Sequence, residues 1–230
     1  MKKNDLIRTI ETFAPLETQE TWDNCGWQIL TEKQEINKVM LCLSVTKNII
    51  KQAKEQNCDM ILAHHPLFYI PFDFGHDMAV YSAHTNLDKA DGGTTDTIID
   101  ILGYKDVEKV GDFLRIVNDK IALNDLILRL KINLNLFNIR VANNNNLDTV
   151  SRIAFCAGSG SEFKDLAKEN GADILITGDI KYHTALESEI ILIDIGHFES
   201  EIPVLKTLYK LLQDKVEVVT AKETTPLKNY

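Results

Sequence analysis

Short apolar runs recur along the chain, and between them apolar residues return every three or four positions. Runs of this length without strict alternation are typical of strands buried on both faces. Leu6, Ile10 and Phe13 fall on one face of a predicted helix over residues 3–13, which Pro15 ends. The other predicted helices are 47–57, 94–102, 161–170 and 199–213, and the predicted strands are 39–45, 60–63, 79–83, 153–156, 174–177 and 190–195.

This alternation of strand and helix predicts an α/β fold, layered α/β/α, with two intertwined lobes and largely parallel strands. Residues 112–150 break the alternation, with a helix near 123–132 and a run of four asparagines beginning at Asn143. We therefore expect a first lobe over 1–111, a short inserted or connecting segment over 112–150, and a second lobe over 151–230. Residues 58–64 and 172–179 are similar, which favours two halves built on one plan.

Composition narrows the class of protein. The 230 residues are 44% hydrophobic and 26% charged, which is typical of an ordinary globular protein. A net charge of -9 repels phosphate backbones, which argues against nucleic acid as a partner. The four cysteines form no Cys-x-x-Cys pair and are expected to be reduced. No export signal and no apolar run of about 20 residues is visible, so we expect a cytoplasmic protein without a membrane partner.

Five of the six histidines follow predicted strands directly or one helical turn later. Carboxylates accompany most of them. The groups concerned are His64 and His65; His84 with Asp88; Asp179 with His183; and His197 with Glu201. Because ligands bind at the carboxyl ends of strands in open α/β sheets, these side chains are predicted to converge on one cleft. His76 lacks this placement and is interpreted as a surface loop residue.

The spacing within these groups is suited to metal binding. His197 and Glu201 share one helix face at positions i and i+4, and the same argument is applied to Asp179 and His183. Asp179 and His183 could ligate an ion or orient a ligand, and we favour the orienting role. Adjacent ligands such as His64 and His65 favour two ions. Imidazoles and carboxylates without cysteine suit Zn, Mn, Fe, Co or Ni, and such a site indicates hydrolytic chemistry.

Two further motifs leave alternatives open. Residues 157–162, Ala-Gly-Ser-Gly-Ser-Glu, could cradle a phosphate at a helix start or could form a tight turn. Residues 22–27, Trp-Asp-Asn-Cys-Gly-Trp, could face a substrate or could form a turn with both aromatic side chains packed inward.

The motifs together resemble the NGG-interacting-factor-three-like family, whose members are called GTP cyclohydrolase 1 type 2 homologues. The segments that carry the resemblance, in order along the chain, are Trp22–Gly26, Ala63–Leu67, His84–Asp88, Gly158–Ser161, Thr177–His183 and Gly196–Glu201.

The resemblance implies a dinuclear site with two divalent metal ions per subunit. By motif, its ligands fall on His64, His65, Asp88, His197 and Glu201, with Glu201 as the bridge. It also implies a ring-shaped homohexamer and a hydrolase that opens the imidazole ring of the guanine of GTP with loss of formate.

Within that interpretation, His84, Asp179 and His183 are expected to orient groups or exchange protons. A triphosphate favours clustered basic residues, and the candidates near the motifs are Lys89, Lys181 and Arg115. The alternative class is a noncatalytic metal-binding or metal-handling interaction protein.

Overall fold

The computed structural model describes residues 1–67 and 78–228 and confirms the predicted α/β class. The helices are α1 (Lys3–Phe13), α2 (Lys47–Glu55), α3 (Thr85–Lys89), α4 (Thr94–Leu102), α5 (Leu123–Leu134), α6 (Lys164–Glu169), α7 (Tyr182–Glu187), α8 (His197–Glu201) and α9 (Val204–Leu212). The strands are β1 (Gly26–Ile29), β2 (Lys38–Cys42), β3 (Met60–Ala63), β4 (Ala79–Ser82), β5 (Val107–Val110), β6 (Leu114–Ala122), β7 (Arg140–Ala142), β8 (Thr149–Phe155), β9 (Ile174–Thr177), β10 (Ile191–Asp194) and β11 (Glu217–Thr220).

The chain divides into two compact units. The first comprises Met1–Gly93 and Val204–Tyr230, and the second comprises Thr94–Pro203. These boundaries differ from the lobes expected at 1–111 and 151–230 with a connector between them. Strand β6 pairs with β8, and α5 buries apolar side chains in the same core as β8, so residues 112–150 belong to the second unit. The first unit includes α9 and β11 because β11 pairs with β2.

The sheet of the first unit has the order β1-β4-β3-β2-β11. Strands β11, β2, β3 and β4 are parallel, and β1 is antiparallel to β4 at the edge. Every residue of β3 and β4 is buried, as short runs without strict alternation predict. Ala63 is opposite Ser82 in the register, so the segments that follow β3 and β4 leave the sheet at the same edge.

The sheet of the second unit has the order β5-β6-β8-β9-β10-β7. Strands β8, β9 and β10 are parallel, whereas β5, β6 and β7 make antiparallel pairs around them. Strands β9 and β10 are fully buried and end in register at Thr177 and Asp194. The segments after these two strands therefore also leave at one edge.

The two similar sequence segments occupy equivalent places in the two sheets. Asp59 precedes β3 and accepts hydrogen bonds from the backbone N–H groups of Asn37 and Lys38. Asp173 precedes β9 and accepts the corresponding bonds from Ser151 and Arg152. In each unit, an aspartate at the start of a central strand thus forms hydrogen bonds with the backbone at the start of the neighbouring parallel strand or within it.

Two of the helices predicted from the sequence differ from the observed helices. The helix predicted over 199–213 is two helices, α8 and α9, because Pro203 lacks the backbone N–H needed to continue the first. The helix predicted over 161–170 begins as a short 3-10 helix at Ser161–Phe163 before α6. In residues 1–67 and 78–228, no helix has the length and apolar character required to cross a membrane.

Candidate metal centre

Three histidines lie together at the edge where β3 and β4 end. His64 and His65 follow β3, and His84 follows β4. The ring centroids of His64 and His65 are 4.9 Å apart, and the ring of His84 lies 5.1 and 5.5 Å from them. One ring nitrogen from each of the three lies within 4.8 Å of the others. The chain bends at His64 and His65, so these neighbours do not diverge as they would in an extended strand.

A backbone carbonyl fixes the orientation of His64. Its ring is fully buried, and Nδ1 donates a hydrogen bond of 2.9 Å to the carbonyl oxygen of Ala83. Since a carbonyl only accepts, Nδ1 carries a proton, and in the neutral ring Nε2 carries the lone pair. Nε2 lies 3.6 Å from Oδ1 of Asp88, which is on α3. This side of the ring therefore presents a nitrogen ligand beside a carboxylate.

A carboxylate fixes His84 in the same way. Nδ1 of His84 lies 3.0 Å from Oδ1 of Asp23, whose side chain is fully buried. Burial raises the pKa of Asp23, but hydrogen bonds from Thr85, His84 and Cys25 outweigh it and hold the pKa well below its usual range. Burial and the neighbouring His64 lower the pKa of His84. A neutral imidazole beside an ionised carboxylate is the form that binds a metal or accepts a proton through Nε2.

The side chain of His65 is held by Ser44, which follows β2. Its Nδ1 and Ser44 Oγ are 2.6 Å apart and share a hydrogen bond. Glu223 accepts hydrogen bonds from the backbone N–H groups of Leu43 and Ser44, at 2.7 and 3.2 Å. Burial raises the pKa of Glu223. The segment after β11 thus holds the loop that carries the partner of His65.

The second unit carries its own imidazole and carboxylates. His197 begins α8, and its Nε2 lies 3.1 Å from Oε2 of the buried Glu201 one turn later. Its Nδ1 lies 2.7 Å from Oδ2 of Asp179. The Glu201 hydrogen bond raises the pKa of His197 to about 9, with Asp179 adding to it and burial opposing it. The predicted i, i+4 pair of His197 and Glu201 is present, and Asp179 contacts the ring nitrogen remote from Glu201.

Glycine is required where the chain passes Glu201. Gly158 has a φ of +67°, and a Cβ there would lie 2.3 Å from Glu201 Oε1. The backbone N–H of Gly158 donates to Ser200 Oγ, and that of Gly160 donates to Thr177 Oγ1, each at 2.9 Å. These two N–H groups already have partners within the unit, which favours the tight-turn interpretation of this motif over a phosphate cradle.

Asp194 joins the two loops that bear the second-unit groups. The buried carboxylate accepts hydrogen bonds from the backbone N–H of Ile180 at 3.1 Å and of Gly196 at 2.9 Å. It also forms an ion pair with Arg140 of β7. The residues next to these two anchored positions are Asp179 and His197, so Asp194 fixes the distance between them.

The predicted helical pairing of Asp179 with His183 is wrong. Helix α7 begins at Tyr182, and Asp179 precedes it with a φ of +54° in the left-handed region. The two residues are therefore not one turn apart on a common face. His183 is exposed, and its ring contacts the ring of Tyr182 at 5.2 Å.

The Trp-Asp-Asn-Cys-Gly-Trp segment is not the turn with both aromatic side chains packed inward. Trp22 is exposed, whereas Trp27 packs edge-on against Tyr81, so the two aromatic side chains are not both inward. The buried group is Asp23, which no spacing argument had singled out. Its hydrogen-bond partners, His84 and Thr85, are more than 60 positions away in the sequence, so no local pattern could identify it. Only its place in the family motif marked it in the sequence. His76 lies outside the described residues.

Two of the three candidate cations near the motifs are already in ion pairs. Arg115 is buried, and its Nε lies 2.8 Å from Asp96 Oδ1. Lys89 Nζ lies 2.6 Å from Glu20 Oε1. Lys181 is exposed. Arg115 and Lys89 therefore serve the fold, and a phosphate would have to compete with a carboxylate for either of them.

The fold and these groups define a class: a two-unit α/β protein with histidine and carboxylate groups that could hold a metal ion. The chain belongs to the Duf34/NIF3 (NGG1p interacting factor 3) family, whose model matches residues 1–226.

Relatives agree with this assignment over nearly the whole chain. A Clostridium perfringens protein named GTP cyclohydrolase 1 type 2 homolog is 35% identical, covering 97% of each chain. A Campylobacter jejuni protein of the same name is 36% identical over 87% of this chain and 88% of its own. Among solved structures, a Staphylococcus aureus hypothetical protein has a TM-score of 0.90 at 24% identity, covering 100% of this chain and 99% of its own. That last likeness concerns the fold alone.

Proposed function

We propose that the chain is a dinuclear metal-dependent hydrolase. The observation that carries this proposal is the hydrogen bonding of the histidines: Nδ1 of His64, His84 and His197 each faces a carbonyl or carboxylate oxygen. Each ring is thereby set to present Nε2, and metal-binding histidines are oriented by the same kind of partner.

The donor set fits divalent transition ions. Imidazole nitrogens and carboxylate oxygens suit Zn, Mn, Fe, Co or Ni. In the proposal, His64, His65, Asp88, His197 and Glu201 would hold the ions, and both ions would share Glu201. Two such ions, when bound, polarise the substrate and lower the pKa of water.

The other residues of the two groups position the ligands or carry protons. Asp179 holds Nδ1 of His197, so that Nε2 remains directed at Glu201 and its surroundings. His84, held by Asp23, offers Nε2 as an acceptor for the proton that leaves an attacking water. Asp194 and Gly158 keep the second-unit groups in place.

The leading substrate is GTP, as the names of the relatives suggest. In that reaction, one water adds at C8 and opens the imidazole ring to a formamide, and a second hydrolyses the formamide to release formate. The product then rearranges toward dihydroneopterin triphosphate.

The rival function is a noncatalytic metal-binding or metal-handling protein. One observation favours it: Arg115 and Lys89 are engaged by carboxylates, which weakens the case for a triphosphate site. In this version, the same ligands hold the ions and present them to a partner.

Turnover separates the two functions. The full chain, loaded in turn with Zn²⁺, Mn²⁺, Fe²⁺, Co²⁺ or Ni²⁺, is incubated with GTP, and formate release is measured. The hydrolase predicts turnover that Glu201→Gln lowers by more than 100-fold, because the amide cannot replace a bridging carboxylate. Asp165→Asn, an exposed carboxylate on α6, is the control and should retain full activity. No formate from GTP with any ion would overturn GTP as the substrate, and no turnover of any nucleotide by protein that binds metal would overturn the hydrolase and support the rival.

A further inference from the structure

Asp23 is built into the first unit as an acceptor for several donors. Its Oδ2 accepts from the backbone N–H of Thr85 at 3.0 Å, from Thr85 Oγ1 and from Cys25 Sγ. Its Oδ1 accepts from the backbone N–H of Asn24 at 2.7 Å and faces Nδ1 of His84 at 3.0 Å. The side chain is fully buried. A buried carboxylate that accepts hydrogen bonds on both oxygens has little freedom to move, so it restricts the orientation of the groups that donate to it.

The second unit repeats this arrangement at an equivalent position. His84 follows β4 and His197 follows β10, each of which is the last of a parallel series and pairs with an antiparallel edge strand. A carboxylate comes four residues after each histidine, Asp88 in one unit and Glu201 in the other. A second carboxylate, Asp23 or Asp179, meets Nδ1 of each ring. Two independent segments therefore supply the same contact.

We propose that Asp23 is a positioning residue that holds His84 as the Nδ1–H tautomer and so directs Nε2 toward the cluster of His64 and His65. A carboxylate accepts hydrogen bonds and donates none, so the proton of a neutral His84 must be on Nδ1. With the proton on the other nitrogen, Nε2 could neither bind an ion nor accept a proton. The catalytic consequence rests on the proposed hydrolase, whereas the tautomer itself does not.

The test is made on metal-free full-length protein, labelled with ¹⁵N in its histidine rings and held at a pH where His84 is neutral. NMR shifts of the two ring nitrogens distinguish the tautomers. In the wild type, we expect His84 to carry its proton on Nδ1. In Asp23→Ala, we expect the proton to move largely to Nε2, because Nδ1 has lost its acceptor.

Asp59→Ala is the matched control, because Asp59 also accepts two backbone N–H bonds in the first unit and makes no hydrogen bond to a histidine among the described residues. Its His84 shifts should equal those of the wild type. Unchanged His84 shifts in Asp23→Ala would overturn the proposal. If Asp23→Ala does not fold, the wild type alone still decides: a proton on Nε2 contradicts the proposal, and a proton on Nδ1 supports it.

Kinetics provide a second readout if turnover is found. Asp23→Ala should lower kcat by about 10–100-fold with little change in KM, and it should cause no further loss in a His84→Gln background. An additional loss in that background would contradict an action of Asp23 through His84. Absence of turnover in the wild type would count against the hydrolase and would leave the NMR result decisive for Asp23.

Discussion

At the scale of the residue, the histidine orientations follow from hydrogen bonds to partners that are distant in sequence. Ala83 holds His64, Asp23 holds His84 and Asp179 holds His197. The histidines themselves were predictable because they follow apolar runs. Of their partners, Asp179 was expected to orient a ligand, and it contacts Nδ1 of His197. Ala83 and Asp23 were not predicted, since no periodicity marks which distant group a loop brings near a ring.

Gly158→Ala tests the close approach of the backbone to Glu201. The added Cβ would lie 2.3 Å from Glu201 Oε1, so the carboxylate must move and metal binding by the second unit should be lost. We also expect the free energy of unfolding to fall by at least about 1–2 kcal/mol because φ is positive. Isothermal titration with Zn²⁺ and thermal unfolding measure the two effects.

Gly103→Ala is the matched control. Gly103 has a φ of +85°, and among the described residues no heavy atom lies within 4 Å of the position of its Cβ. It should lose a similar stability and retain metal binding. Equal Zn²⁺ affinities for the two variants would show that the Gly158 contact is not needed.

The raised pKa of His197 predicts a pH-dependent stability in the metal-free protein. The ordinary value is 6.5 and the folded value is about 9, so the charged ring stabilises the fold fully below pH 6.5. That contribution should decline as pH rises through 9. Urea unfolding at pH 6, 8 and 10 measures it, and Glu201→Gln should flatten the profile between these values. A profile that is the same in both proteins would refute the assignment.

At the scale of the element, the apolar pattern predicted most of the central strands and α1 with its full bounds. Strands β3 and β9 were predicted with their observed limits because each begins with three apolar residues directly after an aspartate. The edge strands β1, β5 and β11 were missed. Half of the residues of β5 and β11 are polar, and only Val110 among them is buried, so burial leaves little pattern in these two strands.

Asp194→Ala tests the hydrogen bonds that anchor the loops after β9 and β10. The variant leaves two backbone N–H groups, those of Ile180 and Gly196, without their acceptor. Both bonds are part-buried, so the loss of each should cost at most about 1–3 kcal/mol, the range for a fully buried group. Urea unfolding should show this loss, together with weaker Zn²⁺ binding.

Arg140→Ala separates the ion pair from the backbone bonds. The side chain of Arg140 is largely exposed, so we expect its removal to cost at most about 1 kcal/mol. A loss as large as that of Asp194→Ala would mean that the ion pair, and not the loop anchoring, is the main contribution of Asp194.

At the scale of the whole molecule, the sequence predicted two halves on one plan, and the structure has two units with equivalent central strands. It placed the boundaries poorly, because α9 and β11 return to the first unit through pairing that local patterns do not encode. The family resemblance implies a homohexamer, and we propose that assembly. Size-exclusion chromatography with multi-angle light scattering should then give about 156 kDa, six times the 26.0 kDa chain. A mass near 26 kDa that persists at micromolar concentration would contradict it.

The metal content of the purified chain tests the central claim most directly. Elemental analysis of protein prepared with Zn, Mn, Fe, Co and Ni supplied should find about two transition ions per chain. His64→Ala and His197→Ala should each lose metal while remaining folded, because each removes a ligand from one unit. Folded wild-type protein that contains no transition metal under these conditions would contradict the account.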